Sequence, residues 1–182
     1  MKTNKLVLGA SLVLALSSAA NGQTVINITG ATAFRAAANN SIIALLGGAG
    51  VTKYAYTGTQ GIGGTNRAIF KGNVAGIGAV TVRASWSGST QGIADCASAT
   101  PVQVLEDDEG LLPTTIAGAN VTGPFEPVNQ VAQFAFSDVS QASSTTLSPS
   151  LTGVEVGVVP FAFVANASAP ATMTNMTDQI MA

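Results

Sequence analysis

Between residues 79 and 93 a strand pattern runs without pause into the start of a helix. Ala79-Val80-Thr81-Val82-Arg83-Ala84 reads as extended chain. Ser85-Trp86-Ser87-Gly88-Ser89-Thr90-Gln91-Gly92-Ile93 then supplies small hydroxyl residues and glycines that open a helix. Glycine lets the backbone fold tightly at such a junction. The N–H groups of the first helical turn point at one spot, where the helix dipole favours negative charge. A turn of this kind can hold an oxyanion without any cationic side chain. It can equally be a helix capped by Ser87 or Ser89 with nothing bound, since both are good N-cap residues.

The N-terminus bounds what the rest of the chain can be. Lys2 and Lys5 precede an apolar run from Leu6 to Leu16, and small residues follow from Ser17 to Gly22. A basic start, a short apolar core and a small-residue cleavage region describe a secretory signal peptide. Cleavage is expected before Gln23, or before Asn21 as the alternative, which leaves residues 23–182 as one domain. The apolar run is too short for a comfortable membrane span, and no second run of membrane length follows. The expected location is therefore outside the cytoplasm, periplasmic or extracellular. Without Lys2 and Lys5, five of the seven basic residues remain against nine acidic ones, a net charge near −4. An acidic chain with scattered basic residues is a poor binder of nucleic acid.

The chain has no histidine and one cysteine, Cys96. Ser-His-Asp and Cys-His catalysis are excluded, as is most zinc chemistry. Cys96 has no partner for an intramolecular disulfide and reads as a small buried apolar group. Glu106-Asp107-Asp108-Glu109 is the one acidic cluster, and it lacks the spacing of a calcium loop. No paired carboxylates stand at catalytic spacing, so no enzyme activity, cofactor or metal is expected.

Along the chain, Thr24 to Thr29 alternates as a strand, and Gly30-Ala31-Thr32 turns it. Ala33 to Leu46 follows as a helix whose expected apolar face is Phe34, Ala37, Ala38, Ile42, Ala44 and Leu45, stopped by Gly47-Gly48. Val51 to Tyr56 reads as a second strand. The glycine-rich run from Thr57 to Asn66 meets neither the dinucleotide nor the P-loop spacing and reads as a flexible loop. Arg67 to Lys71 and Val80 to Trp86 are strands that could pair as a hairpin. Ser98 to Asn129 has no sustained period and reads as a long irregular insertion. Ala132 to Phe136 is a strand ending in Ser137-Asp138, and Gln141 to Pro149 is a Ser/Thr-rich loop. Val154 to Val164 is a nearly continuous apolar run expected as a central strand, bent at Pro160. Thr174 to Met181 begins a helix that stops without a terminating signal, which suggests truncation. Strands alternating with helices predict an α/β fold.

Three strand ends thus carry small or acidic turn residues: Thr29-Gly30-Ala31-Thr32, Ser87-Gly88-Ser89-Thr90 and Ser137-Asp138. In open α/β sheets the carboxyl ends of strands converge on the ligand crevice. In their order along the chain, Gly30-Ala31-Thr32-Ala33-Phe34, Ser87-Gly88-Ser89-Thr90-Gln91-Gly92-Ile93, Phe136-Ser137-Asp138 and Val159-Pro160 to Asn166 resemble the motifs of the phosphate-type periplasmic substrate-binding proteins of ABC importers. The resemblance implies a type II periplasmic-binding-protein-like lobe, a mixed sheet flanked by helices with the second lobe incomplete. It also implies phosphate or a similar oxyanion as ligand, and an ABC membrane permease as partner.

Carried over residue by residue, the resemblance implies that Thr32, with the backbone of Ala33 or Phe34, donates to the anion. Ser89 and the N–H groups of Thr90 and Gln91 would hold it from a helix start. Asp138 would accept from the P–OH of a protonated phosphate, which sulfate lacks. The other reading of Asp138 is a cap on the turn after its strand. The chain departs from the family in four places: Ala33 lies between Thr32 and Phe34, Ser-Thr-Gln replaces glycines in the second turn, the insertion from Ser98 to Asn129 has no counterpart in the family, and the lobe that would supply an arginine is absent. Arg35 could stand in for that cation or be a surface residue. The alternative function is an exported structural or surface-interaction protein that reuses the fold without binding phosphate.

Overall fold

The computed structural model describes residues 23–47, 53–58, 60–106, 120–122 and 127–158. The expected signal peptide, the second half of the 154–164 run and the C-terminal helix expected from Thr174 lie outside these residues. In chain order the elements are β1 (Thr24–Gly30), α1 (Arg35–Gly47), β2 (Lys53–Tyr56), α2 (Gly61–Gly64), β3 (Arg67–Val74) and β4 (Gly78–Ser85). They continue with α3 (Ser89–Ser98), β5 (Pro101–Leu105), β6 (Asn120–Thr122), β7 (Pro127–Val131), β8 (Phe134–Phe136) and a 3-10 turn (Gln141–Ser143). The class is α/β, as expected.

Six strands form one mixed sheet in the order β6-β2-β3-β4-β1-β8, and β5 pairs with β7 in a separate antiparallel ribbon. β3 and β4 are the predicted hairpin, longer than the sequence pattern indicated, in register from Arg67 opposite Ser85 to Val74 opposite Gly78. β1 lies parallel to β4 on one side and parallel to β8 on the other. The carboxyl ends of β4, β1 and β8 therefore meet at one end of the sheet. That adjacency positions the candidate site.

One face of the sheet carries the main core: Ile28, Tyr56, Ala68, Phe70, Val80, Val82, Ala84 and Trp86 pack with Ala38 and Leu46 of α1. Phe70 and Leu46 are fully buried, each contributing about 1.5–3 kcal/mol from area removed from water. Around the other face lie two smaller clusters, one of Ala55, Ile69 and Leu105, the other of Val102, Val104 and Ala132 with Cys96 and Val128.

Four sequence expectations need correction. The buried face of α1 is Ala38, Asn39 and Leu46, while Ala37 and Ala44 are exposed and Leu45 is 61% exposed. The helix is rotated because Asn39 turns inward and its Nδ2 donates to the Ile62 carbonyl (2.8 Å), a polar tie invisible to an apolar periodicity. The region from Ser98 to Asn129 is not wholly irregular, since it holds β5, β6 and the start of β7. Val102, Val104 and Leu105 of β5 bury against the sheet, and Pro101 and Pro127 sit at strand starts, where a missing N–H is tolerated. The run from Thr57 to Asn66 contains the short helix α2 in place of a continuous loop. Residues 154–158 form no strand, and Val154, Val156 and Val158 are 66%, 68% and 84% exposed. Alternating valines specify a strand only where a neighbouring strand is there to pair with them.

Candidate functional site at the carboxyl ends of β4, β1 and β8

The site is assembled around Gly30, the last residue of β1. Gly30 has φ +119°, and a Cβ there would lie 2.0 Å from the Phe136 carbonyl oxygen. Only glycine allows β8 to approach so closely while the chain turns. The turn is tied on both sides: the Ala31 N–H donates to the Phe136 carbonyl (2.7 Å), and the Gly88 N–H donates to the Gly30 carbonyl (2.8 Å). The helix that follows β4 is drawn against the same point, because Gly92 lets α3 sit over Gly30, where a Cβ would stand 2.6 Å from the Gly30 Cα.

The N-cap of α3 is Gly88, not Ser87 or Ser89, and no side chain caps the helix start. Ser87 is used elsewhere, its hydroxyl paired with that of Thr29 (3.2 Å). Ser89, the first residue of α3, donates its hydroxyl to the Asp138 Oδ1, and the Asp138 N–H donates back to the Ser89 hydroxyl (3.4 Å). A carboxylate is thus held beside a helix N-terminus, where the dipole favours it. Ser137 completes the turn through its own chain, donating to the Val139 carbonyl (2.7 Å) and accepting from the Val139 N–H (3.2 Å).

Beside Asp138 opens a cleft of about 500 Å³, lined by Phe34, Ser137, Val139, Ser140 and the stretch Gly153–Glu155 with Gly157 and Val158. Its inner wall rests on an aromatic ladder: the Phe34 ring lies 6.1 Å from that of Phe136, which lies 5.8 Å from that of Trp86. Such tilted pairs hold Phe34 in place. The outer wall is held by Gln141. Its Nε2 donates to the carbonyls of Thr146 (3.1 Å) and Pro149 (2.8 Å), and its Oε1 accepts from the Leu151 N–H (2.8 Å).

Of the residues singled out from sequence, Ser89 and Asp138 are in direct contact, and Phe34 shares the cleft with Asp138. Thr32 and Ala33 lie exposed on the turn before α1 and do not line the cleft. Thr90 and Gln91 are exposed on the first turn of α3, and the Gln91 side chain is spent on the Asp95 carboxylate (2.7 Å). Arg35 does not face the cleft: it donates to the Gly63 carbonyl (3.3 Å) and to Asn66 Oδ1 (2.5 Å), tying α1 to the segment around α2. Sequence reasoning missed Glu155 and the valines beside it. Nothing in their local pattern signals a site; they follow in sequence the loop that Gln141 ties together.

The arrangement offers helix N–H donors and a serine-bound carboxylate acceptor at one place, which suits a ligand that is anionic yet carries a proton to donate. Among the described residues no group of three or more Cys, Asp or Glu stands together as a metal site, and no helix is long and apolar enough to cross a membrane. Comparison with protein-family models, with curated proteins and with solved structures finds no match for this chain.

Proposed function

We propose that this chain is an exported, non-catalytic binding protein for phosphate or a similar oxyanion, built on a periplasmic-binding-protein-like lobe and serving an ABC membrane permease. One observation carries the reading: the Ser89–Asp138 pair sits at the start of α3, beside the carboxyl ends of three adjacent parallel strands. In this reading the N–H groups of Ser89, Thr90 and Gln91 take the anion, and Asp138 takes its proton. A fully ionised anion meets the Asp138 carboxylate with no proton to offer, so sulfate is rejected.

Isothermal titration with phosphate and then sulfate at low salt tests this. Binding of phosphate without sulfate is expected, with loss of affinity in Ser89→Ala and Asp138→Ala. Absence of phosphate binding, or equal binding of sulfate, overturns it. The second reading, an exported structural or surface-interaction protein, is favoured by the fact that the same pair ties the turn after β8 to α3. Under that reading both substitutions lower stability, and the protein takes up neither anion.

A further inference from the structure

The cleft beside Asp138 and the start of α3 are separate places, because no residue of α3 lines the cleft. The charged residues of its lining are Asp138 and Glu155, and no lysine or arginine accompanies them. An occupant of the cleft itself therefore carries no negative charge, since nothing there offsets it.

The walls offer apolar contact instead. Phe34, half-buried and held by its ring contact with Phe136, lines one part. Val139, Val154 and Val158 line other parts, and they are 38%, 66% and 84% exposed. A single exposed valine needs no explanation, but three of them with a phenylalanine around one depression make an apolar groove, and such grooves mark docking surfaces.

The next residues of the chain have the chemistry to cover it. Val158 lines the cleft and is also the last of the described residues. The sequence continues Val159-Pro160-Phe161-Ala162-Phe163-Val164, an uncharged apolar run outside the described residues. A residue before proline is biased to extended backbone, and in extended chain Phe161 and Phe163 share one side, roughly 6–7 Å apart. At about 3.6 Å per residue at most, Phe161 lies within about 11 Å of Val158 and Phe163 within about 18 Å, so both reach the groove. Each such ring can bury about 150–250 Å².

We propose that the cleft is the docking groove for the chain's own segment 159–164, with the rings of Phe161 and Phe163 against Phe34 and the valines. The docking is intramolecular. A tethered segment acts at high effective concentration, so a small apolar interface is enough to hold it. The proposal goes beyond the anion reading and does not depend on it, since the donors of that reading belong to α3 and the groove does not.

The test uses the full chain. In a Cys96→Ala background, Val139→Cys and Ala165→Cys put one thiol on the groove wall and one just past the segment. A short bismaleimide is expected to join the two within one chain in most molecules. Absence of that cross-link overturns the proposal. So does a cross-link found only between chains, which assigns the groove to the segment of a second copy. The cross-link leaves both phenylalanines in place, so it decides the question even if replacing them prevents folding. Isothermal titration with a synthetic peptide of residues 159–166 gives a second measurement. Phe161→Ser/Phe163→Ser is expected to take up the peptide at least tenfold more tightly than the wild-type chain, whose groove is filled. Adding Val139→Asp, at an exposed position away from the core, is expected to weaken that uptake at least tenfold. Equal uptake by the wild-type chain and the double variant overturns the proposal, as does uptake that ignores Val139→Asp.

Discussion

Replacing Gly30 by alanine should destabilise the protein more than any other single-methyl addition at this end of the sheet. Two terms act there. The backbone sits at φ +119°, a region L-residues avoid, and holding a side chain in such a conformation costs about 1–3 kcal/mol. The added Cβ would also lie 2.0 Å from the Phe136 carbonyl oxygen and 2.7 Å from its nitrogen. Those are backbone atoms of β8, which cannot rotate aside, so the strand must shift. The shift adds an overpacking cost of about 1–3 kcal/mol. It also threatens the Ala31-to-Phe136 hydrogen bond, worth about 1 kcal/mol. The expected loss is roughly 3–7 kcal/mol, a large share of a domain's typical ~5–15 kcal/mol.

Gly88 provides the internal control. Its φ is +116°, almost the same, but a Cβ there meets nothing within 4 Å. Gly88→Ala therefore carries the backbone term alone, about 1–3 kcal/mol. Urea unfolding of both variants, followed by tryptophan fluorescence of the buried Trp86, measures the difference. A loss in Gly30→Ala no greater than in Gly88→Ala would refute the claim that β8 is packed against the end of β1, and with it the convergence of strand ends that defines the site.

Two further predictions follow from side chains around the cleft. Gln141→Leu removes three hydrogen bonds that fold the 141–151 loop, a net local loss of roughly 1–2 kcal/mol because the freed groups regain water. Limited proteolysis should cut this loop on the order of tenfold faster, with little change in global unfolding, and an unchanged rate would sink the idea that Gln141 holds the wall. Burial, and after it the neighbouring Asp95 carboxylate, pushes the Cys96 thiol pKa up. The folded value therefore lies above the unfolded one, so the unfolded chain loses its proton first. Stability should fall as the pH rises past the ordinary thiol value of about 8.5. The fall should be smaller in Cys96→Ala, and melting curves from about pH 8 to 10 that are parallel for the two proteins would contradict it.

Local chemistry was enough to identify the elements around the site. β1 and β4 alternate, the glycine and hydroxyl residues after them cannot continue a strand, and α3 begins where the turn ends. Those features depend on neighbours a few residues apart, so the sequence carries them directly. The pairing of β3 with β4 was legible for the same reason, since a hairpin joins segments adjacent in the chain. Ser89 and Asp138, 49 residues apart, were singled out separately as turn residues, but nothing in the sequence shows that they touch.

Tertiary contact decided the rest. The rotation of α1 was set by Asn39 reaching the Ile62 carbonyl, a polar contact that outweighs the apolar stripe ending at Leu45. Val154 to Val158 has the composition of a buried strand, yet stays exposed because β-structure needs a partner strand as well as a pattern. The place of Glu155 beside Asp138 depends on a loop folded by Gln141 and on a turn anchored by Gly30. The sequence alone thus determined the α/β class, the strand–turn–helix units and the absence of histidine chemistry. Only the three-dimensional packing decided which of those turns share a cleft, because distances between residues remote in sequence are set by the sheet order and not by any local preference.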